Sequence, residues 1–210
     1  MKNLEKSALV VIDVQVDFCP GGSLAVSGGD EIVDPINTFL LEHGKKFKRI
    51  VFTSDWHPPE HISFASFHKK ELYSVIKNGK QSVTLWPDHC IEGTAGAEFY
   101  PGLKSEKADL LIRKGRNPEM DSYSAFYEND RETPTGLTGY LKEHEIENVF
   151  LCGLAFDWCV FFSAVDSLKK GFNTYVIKDL TRAIDLPPGY AFEREQEILK
   201  LGGKIIDSRY

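Results

Sequence analysis

The chain has 210 residues, 42% of them hydrophobic, which is enough to bury a core, and we expect one domain over residues 1–210. The formal net charge is -6 and no basic stripe occurs, which excludes a nucleic-acid backbone or an anionic membrane as the expected partner and favours a small molecule. The four cysteines form no CxxC pair and are too scattered for a disulfide framework, so we interpret them as reduced thiols.

Two features of the sequence predict a cytoplasmic protein. No run of about 18 apolar residues occurs, as a membrane-spanning helix would require. Residues 1–6 are too polar to begin a signal peptide. We therefore expect neither a membrane span nor a secretory leader.

Short apolar runs alternate with longer segments of helical period along the chain. Uninterrupted hydrophobicity is typical of strands that are buried on both faces of a parallel sheet. The pattern predicts an α/β fold with three layers, α/β/α, around a central, mostly parallel sheet of six strands. The predicted strands are 8–12, 50–52, 110–112, 149–151, 175–177 and, more weakly, 204–206.

The helical segments lie between these runs, and 157–170 is the clearest because Val160, Ala164 and Leu168 share one face. Segment 32–40 has helical spacing, but Pro35 leaves its start open between two residues. Either Asp30 caps the helix and the proline lies early in it, or Asp34 caps it directly. The predicted helices are 32–40, 133–144, 157–170 and 191–201.

Two long connections, 54–107 and 114–133, are rich in proline, glycine, histidine and aromatic residues. Connections of this length in a compact domain are usually functional. In an open α/β sheet, ligands bind at the carboxyl ends of the strands. We therefore expect the functional residues at these strand ends and in these connections.

Three reactive side chains, Asp13, Lys114 and Cys159, follow predicted strands. A thiol with a pKa of about 8.5 needs a nearby base or cation to act as a nucleophile. Asp13 can accept the proton and Lys114 can stabilise the thiolate, and the start of helix 157–170 would add partial positive charge. For each residue alone, a structural interpretation is at least as good as a catalytic one: an inert buried cysteine, a turn-forming aspartate or a surface lysine. The occurrence of all three at strand ends favours a catalytic site.

A second group, Asp55, His57 and His89, has the residue types of a metal site. If the chain is still extended after strand 50–52, Asp55 and His57 project on the same side, and one later histidine completes a three-ligand face with open positions. This donor set suits zinc, iron or manganese. The alternatives are exposed histidines in a proline-rich loop or a structural metal, and the roles of His61 and His68 stay open.

These residues lie in motifs that resemble the nicotinamidases (pyrazinamidase/nicotinamidase) of the isochorismatase-like cysteine hydrolase superfamily, and the resemblance covers nearly the whole chain. Within that superfamily, the DWH and WPDHC segments point to the metal-dependent branch. The matching segments are VIDVQ at 11–15, DFC at 17–19, GGSLAV at 21–26, TSDWH at 53–57, SFA at 63–65, WPDHC at 86–90, GT at 93–94, RKG at 113–115, and 153–160.

The resemblance implies an isochorismatase-like hydrolase fold and a metal-dependent amidohydrolase that converts nicotinamide and water to nicotinate and ammonia in NAD salvage. It implies that Cys159 attacks the carboxamide after Asp13 accepts its proton, with Lys114 favouring the thiolate and a thioester as intermediate. The backbone N–H groups of Ala155 and Cys159 would form the oxyanion hole, next to a cis peptide between Leu154 and Ala155.

The resemblance also assigns the metal and the substrate contacts. One divalent ion, with zinc favoured and iron or manganese allowed, would bind Asp55, His57 and His89 and orient the pyridine ring through its nitrogen. Three aromatic side chains would contact the ring. They are Phe18, Trp86 and Tyr123.

The sequence departs from the family pattern at Val16, where Asn is usual, and at Phe156 and Trp158 on either side of Asp157. These positions leave the shape of the pocket and the range of amides open. Alternative functions are a superfamily hydrolase of ureido or carbamoyl compounds and a catalytically silent relative that binds a metabolite. The residues also leave a homo-oligomer open.

Overall fold

A computed structural model describes residues 4–79 and 81–209, so the predictions made for Met1 to Asn3 lie outside the described residues. The sheet order is β5-β2-β1-β6-β7-β8, and every neighbouring pair in it is parallel. This confirms the predicted six-stranded α/β fold. The described strands are β1 (Ser7–Ile12), β2 (Arg49–Asp55), β3 (Val75–Asn78), β4 (Gln81–Thr84), β5 (Leu110–Lys114), β6 (Asn148–Gly153), β7 (Asn173–Thr181) and β8 (Lys204–Ile206).

Helices cover both faces of the sheet, and alternate residues of β1 point to two separate cores. Leu9 and Val11 pack in a core that contains apolar residues of the first helix, whereas Ala8 and Val10 pack in a core with residues of the later helices. The sheet is therefore the middle of three layers. The helices are α1 (Val33–His43), α2 (Ala65–His68), α3 (Leu137–Glu143), α4 (Phe161–Lys169) and α5 (Tyr190–Lys200), and a π-helical turn, Phe156–Val160, directly precedes α4.

Both predicted caps of the first helix are wrong. The residue before α1 is Ile32, and no side chain makes a capping hydrogen bond there. Asp30 instead begins a 3-10 turn, Asp30–Ile32, so the chain already has helical φ and ψ angles when it enters α1. A side-chain cap needs an extended residue at this position, which the turn does not provide. Pro35 does lie in the first turn, where a proline is tolerated.

The helix predicted over 133–144 begins later, at Leu137. The carboxylate of Asp130 accepts hydrogen bonds from the backbone N–H and the hydroxyl of Thr133, at 2.9 and 2.6 Å. Gly136, with a φ of 98°, directly precedes the helix. Thr133 therefore closes a turn of the preceding connection rather than starting α3.

The connection 54–107 contains more regular structure than its sequence predicts. Strand β2 continues to Asp55, and α2 and an antiparallel hairpin of β3 and β4 follow. The hairpin lies on the surface, and Val75 in β3 is 60% exposed. Its two strands contain only three apolar residues, Val75, Ile76 and Val83, so no long apolar run marks the hairpin in the sequence.

The described part of the chain contains no helix that is both long enough and apolar enough to cross a membrane. The largest described helices, α1 and α5, have 11 residues each. A span of the hydrocarbon core needs about 20 residues.

Gly153 allows the ends of β1 and β6 to come close together. It pairs with Ile12 and has a φ of 108°, and the N–H of the next residue, Leu154, donates to the Ile12 carbonyl at 2.8 Å. A Cβ atom on Gly153 would lie 2.0 Å from that carbonyl oxygen. Only glycine fits here, and the close approach brings the segment after β6 next to the residue after β1.

We expect Gly153→Ala to lower the free energy of unfolding by about 3 kcal/mol or more, because the added methyl group meets backbone and the φ angle is unfavourable. The matched control is Gly139→Ala in α3, where nothing lies within 4 Å of the added Cβ. The control should stabilise the protein by about 0.5–1 kcal/mol through helix propensity. Urea unfolding measures both variants, and equal stability of the two would contradict the close approach.

Candidate active site

Asp13 directly follows β1 and is completely buried. Its φ angle of 48° turns the chain at the end of the strand. The Thr53 hydroxyl in β2 donates to its carboxylate at 2.6 Å, and the Asp13 N–H donates to the Thr53 carbonyl at 3.2 Å. The neighbouring strand therefore fixes the carboxylate in place.

Lys114, the last residue of β5, lies at the centre of the site. Its Nζ atom is 2.8 Å from Asp13 Oδ2 and 2.6 Å from Asp55 Oδ1, and it donates to the Ser122 carbonyl at 2.9 Å. The Cys159 Sγ atom is 3.5 Å away. Burial alone would lower the pKa of Lys114, but the two carboxylates outweigh it and raise the pKa well above its usual value. The lysine is therefore a buried ammonium ion.

Cys159 lies in the π-helical turn before α4 and is buried. Burial raises the pKa of its thiol, Lys114 lowers it, and Asp13 and Asp55 raise it again, so the pKa is well above the usual value. Lys114 has the predicted effect, but burial and two nearby carboxylates exceed it. A base is therefore needed at the moment of attack.

The segment between β6 and Cys159 contains the cis peptide bond between Leu154 and Ala155 that the resemblance implies. The Ala155 carbonyl accepts hydrogen bonds from the N–H groups of Trp158 and Val160, at 3.1 and 3.2 Å. These bonds close the turn around Cys159. Ala155 and Cys159 both line the same cavity, and their role as an oxyanion hole stays a prediction.

Asp55, His57 and His89 form a buried cluster next to Lys114. The Oδ2 atom of Asp55 is 3.5 Å from His57 Nε2 and 3.8 Å from His89 Nε2. The Nδ1 atoms lie 2.9 Å from the Gly115 carbonyl and 2.7 Å from the Pro87 carbonyl, respectively. Since a carbonyl only accepts, both Nδ1 atoms carry a proton, and both Nε2 atoms face the carboxylate.

This cluster has the properties of a site for a divalent cation. Within the described residues, His57 Nε2 is buried and makes no hydrogen bond. Burial and the neighbouring His57 lower the pKa of His89 to about 4, which keeps this imidazole neutral, as a metal ligand must be. One carboxylate and two imidazoles are a common donor set for zinc. The residues therefore fit the ion that the sequence predicts.

Gly115 packs directly against the imidazole ring of His57 in the metal cluster. A Cβ atom at this position would lie 2.4 Å from Cε1 and 2.6 Å from Nδ1 of His57. The residue also has a φ of 69°. Because it lacks a side chain, its carbonyl can approach the imidazole and fix its tautomer.

The two histidines whose roles the sequence leaves open lie outside the cluster of Asp55, His57 and His89. Both nitrogens of His61 have partners in the protein, the Ser63 hydroxyl at 2.7 Å and the Met120 carbonyl at 3.2 Å. The Nε2 atom of His68 is 2.8 Å from the Ile62 carbonyl. His68 thus has a partner in the local structure, whereas His61 also lies with His57 and Asp121 in a second buried group whose possible ligand atoms are within 4.8 Å of one another.

A cavity that leaves about 20 Å³ for the centre of a water-sized sphere joins the thiol and the metal cluster. Phe18, Trp86 and Tyr123, the predicted ring contacts, all line it. The Trp86 indole N–H donates to the Tyr123 hydroxyl at 3.1 Å, and the Phe18 ring centroid is 5.5 Å from that of His89. The cavity is therefore small and mostly apolar, with several aromatic rings in its wall, which is typical of a site for a flat ligand.

Of the three departures from the family pattern, only Trp158 lines the cavity. Phe156 is 1% exposed and packs in the core under α4, where the Lys178 ammonium lies 3.5 Å from its ring centroid. Val16 lies in a 3-10 turn, and its N–H donates to the Glu98 carbonyl at 3.0 Å. Of these three residues, Trp158 is therefore the one that contributes directly to the shape of the pocket.

Sequence reasoning missed several residues that build the site. Gln15 is buried, accepts a hydrogen bond from the Asp55 N–H at 2.8 Å and donates to the Asp55 carbonyl at 2.7 Å. The Asp157 carboxylate accepts from the N–H of Ile184, a cavity residue, at 3.0 Å. Gln15 lies in a quoted motif, which is a usable signal, whereas no sequence pattern marks Ile184. Leu24 and Asp121 complete the cavity wall.

Comparisons with known proteins show the family of this chain. Residues 7–207 match the model of the isochorismatase domain. The nicotinamidase of Acinetobacter baylyi is 48% identical over 210 residues, covering 100% of this chain and 96% of the relative. The structure of the Acinetobacter baumanii nicotinamidase/pyrazinamidase superposes with a TM-score of 0.92 at 47% identity, over 98% of this chain and 97% of the other.

A second structure, that of the Pyrococcus horikoshii pyrazinamidase in complex with zinc, has a TM-score of 0.79 at 34% identity. The match covers 96% of this chain and 99% of the other. The similarity therefore extends over whole chains in each comparison. On the family model and these full-length relatives, the chain belongs to the isochorismatase domain family.

Proposed function

We propose that this protein is a nicotinamidase, a metal-dependent cysteine amidohydrolase that converts nicotinamide and water to nicotinate and ammonia. The observation that carries the proposal is one small aromatic cavity that joins a thiol, contacted by a buried lysine, to a cluster of Asp55, His57 and His89. Full-length relatives at 48% and 47% identity are nicotinamidases, which supports the same substrate.

The first half of the reaction forms a thioester. A carboxylate oxygen of Asp13 lies within 4.8 Å of Cys159 Sγ and accepts its proton while sulfur attacks the carboxamide carbon. The backbone N–H groups of Ala155 and Cys159 stabilise the oxyanion. When the carbonyl re-forms, the C–N bond breaks, Asp13 returns the proton to nitrogen, and ammonia leaves.

The second half hydrolyses the thioester. Asp13, again a carboxylate, accepts a proton from a water molecule that attacks the thioester carbon. The C–S bond breaks, the proton returns to Cys159, and the acid product loses its remaining proton to solvent and leaves as nicotinate. Burial, only partly offset by Lys114, raises the pKa of Asp13 above its usual value, so this carboxylate is a stronger base than an exposed one.

Asp55, His57 and His89 would hold one divalent ion, with zinc favoured because a related pyrazinamidase structure contains it. When bound, the ion supplies a Lewis acid for the pyridine nitrogen and so orients the ring. The residues themselves also allow iron or manganese. Phe18, Trp86 and Tyr123 pack on the ring and exclude water from the thiol.

The proposal places the protein in the cytoplasm, in the salvage of nicotinamide toward NAD, as one domain over residues 1–210. Two observations argue against the alternative functions. The contacts of Lys114 with Asp13 and Cys159 argue against a silent metabolite-binding relative. The metal cluster beside the cavity argues against a hydrolase of ureido or carbamoyl compounds.

Cys159→Ala should lower the rate of ammonia release from nicotinamide by at least about a thousand-fold, because the variant lacks the nucleophile. Its metal content should equal that of the unmodified protein. The matched control is Cys152→Ala, which changes a buried cysteine of β6 that does not line the cavity. Retained ammonia release by Cys159→Ala would refute this residue as the nucleophile.

Removal of the bound metal by a chelator should abolish ammonia release from nicotinamide, and restored zinc, iron or manganese should recover it. The reason is that the substrate ring loses the group that orients it. Metal analysis of the treated protein confirms the removal. Full activity in the metal-free protein would contradict a metal-dependent reaction, whereas no activity with metal bound would direct attention to ureido and carbamoyl substrates.

His57→Ala should raise the KM for nicotinamide by at least about tenfold, because one of three metal ligands is lost. The rate of Cys159 alkylation by iodoacetamide should change much less, since His57 is not among the groups that contact the thiol. His68→Ala is the control, as its side chain lies outside the cluster. Equal loss of binding and of thiol reactivity would reject the orienting role of the metal.

A further inference from the structure

Trp158 combines two properties that no other residue of the described chain shares. It directly precedes Cys159 in the π-helical turn, and its side chain lines the cavity that contains the thiol. A shift of its ring would therefore change the space next to the reacting atom. The mechanism proposed above gives this residue no chemical task.

Four aromatic rings hold the Trp158 indole in a fixed position. Its centroid lies 4.6 Å from that of Trp86, nearly perpendicular at 89°, and 5.1 Å from that of Tyr123. Tyr190 and Phe162 pack against it at 5.5 and 6.2 Å. Because Trp86 and Tyr123 are also joined by a hydrogen bond of 3.1 Å, the three rings form one rigid wall.

The indole N–H of Trp158 has no described hydrogen-bond partner, although the atom is buried. The Trp86 N–H, by contrast, is paired with the Tyr123 hydroxyl. Buried tryptophans usually find an acceptor. The contribution of Trp158 to the cavity is thus the bulk and shape of its ring rather than an internal hydrogen bond.

We infer that Trp158 is a specificity-determining residue that restricts the cavity to amides of a single six-membered ring. The inference rests on the proposed function, since it concerns the substrate range of the same site. The cavity leaves only about 20 Å³ for the centre of a water-sized sphere, so it is tight, and one rigid ring in its wall decides what enters. A smaller side chain at this position would open space beside Cys159 without removing the thiol or a metal ligand.

The test compares nicotinamide with two bicyclic amides, quinoline-3-carboxamide and isoquinoline-4-carboxamide. Both keep the relation between ring nitrogen and carboxamide, and they add a second ring on different edges. In Trp158→Ala, the ratio of kcat/KM for at least one bicyclic amide to that for nicotinamide should rise at least about tenfold over the unmodified protein. Trp158→Phe should give a smaller rise. Ratios within about twofold of the unmodified protein for both amides overturn the inference.

Phe162→Leu is the matched control, because Phe162 packs against Trp158 and Tyr123 but does not line the cavity. It should leave the ratio unchanged, and an equal rise in this control overturns a specific role for Trp158. Thermal melting and metal content identify folded variants. If Trp158→Ala does not fold, the same ratio in Trp158→Phe decides.

A binding measurement separates this inference from the proposed function. Calorimetric titration of Cys159→Ala, with and without Trp158→Ala, gives the ratio of Kd values for the same three amides without any turnover. If the unmodified protein releases no ammonia from nicotinamide, the proposed function fails, and the binding ratio still supports or overturns the role of Trp158. Absence of nicotinamide binding in both backgrounds rejects the role as well.

Discussion

The buried ion pairs of Lys114 are the interaction on which the rest of the site depends. A buried ammonium ion is strongly unfavourable unless anions and hydrogen-bond acceptors surround it. Asp13 and Asp55 supply the anions at 2.8 and 2.6 Å, and Ser122 supplies a carbonyl. Asp13 follows β1, Asp55 ends β2 and Lys114 ends β5. One cation therefore fixes the carboxyl ends of three strands relative to each other.

The same lysine also joins the two halves of the site through Asp55. One oxygen of this carboxylate contacts Lys114, and the other faces His57 and His89. Burial raises the pKa of Asp55, but Lys114 and His57 outweigh it and keep the pKa below its usual range. Asp55 is therefore ionised and faces both the lysine and the two histidines. A change at this residue would disturb the metal cluster and the lysine together.

The sequence predicts the parts of this structure that follow from strand order. Asp13 and Lys114 lie at strand ends, and parallel strands place their carboxyl ends at one edge of the sheet. The positions of the strands in the sequence are therefore enough to predict that these two side chains lie close together. The wall of the cavity is different: Leu24, Trp158 and Ile184 come from three unrelated segments. The start of α3 and the entry to α1 also depend on local hydrogen bonds, such as those of Asp130, that compete with capping patterns.

The thiol shows an electrostatic effect that residue types alone do not predict. A lysine and a helix start next to a cysteine favour the thiolate when they act alone. In the folded chain, however, a thiolate at Cys159 would be a third negative charge, beside Asp13 and Asp55, around one ammonium ion in a buried site. Burial therefore raises the pKa of the thiol despite Lys114. Such a site suits a reaction in which the proton moves to Asp13 only as the carbon–sulfur bond forms, because negative charge then passes to the substrate oxygen instead of collecting on sulfur.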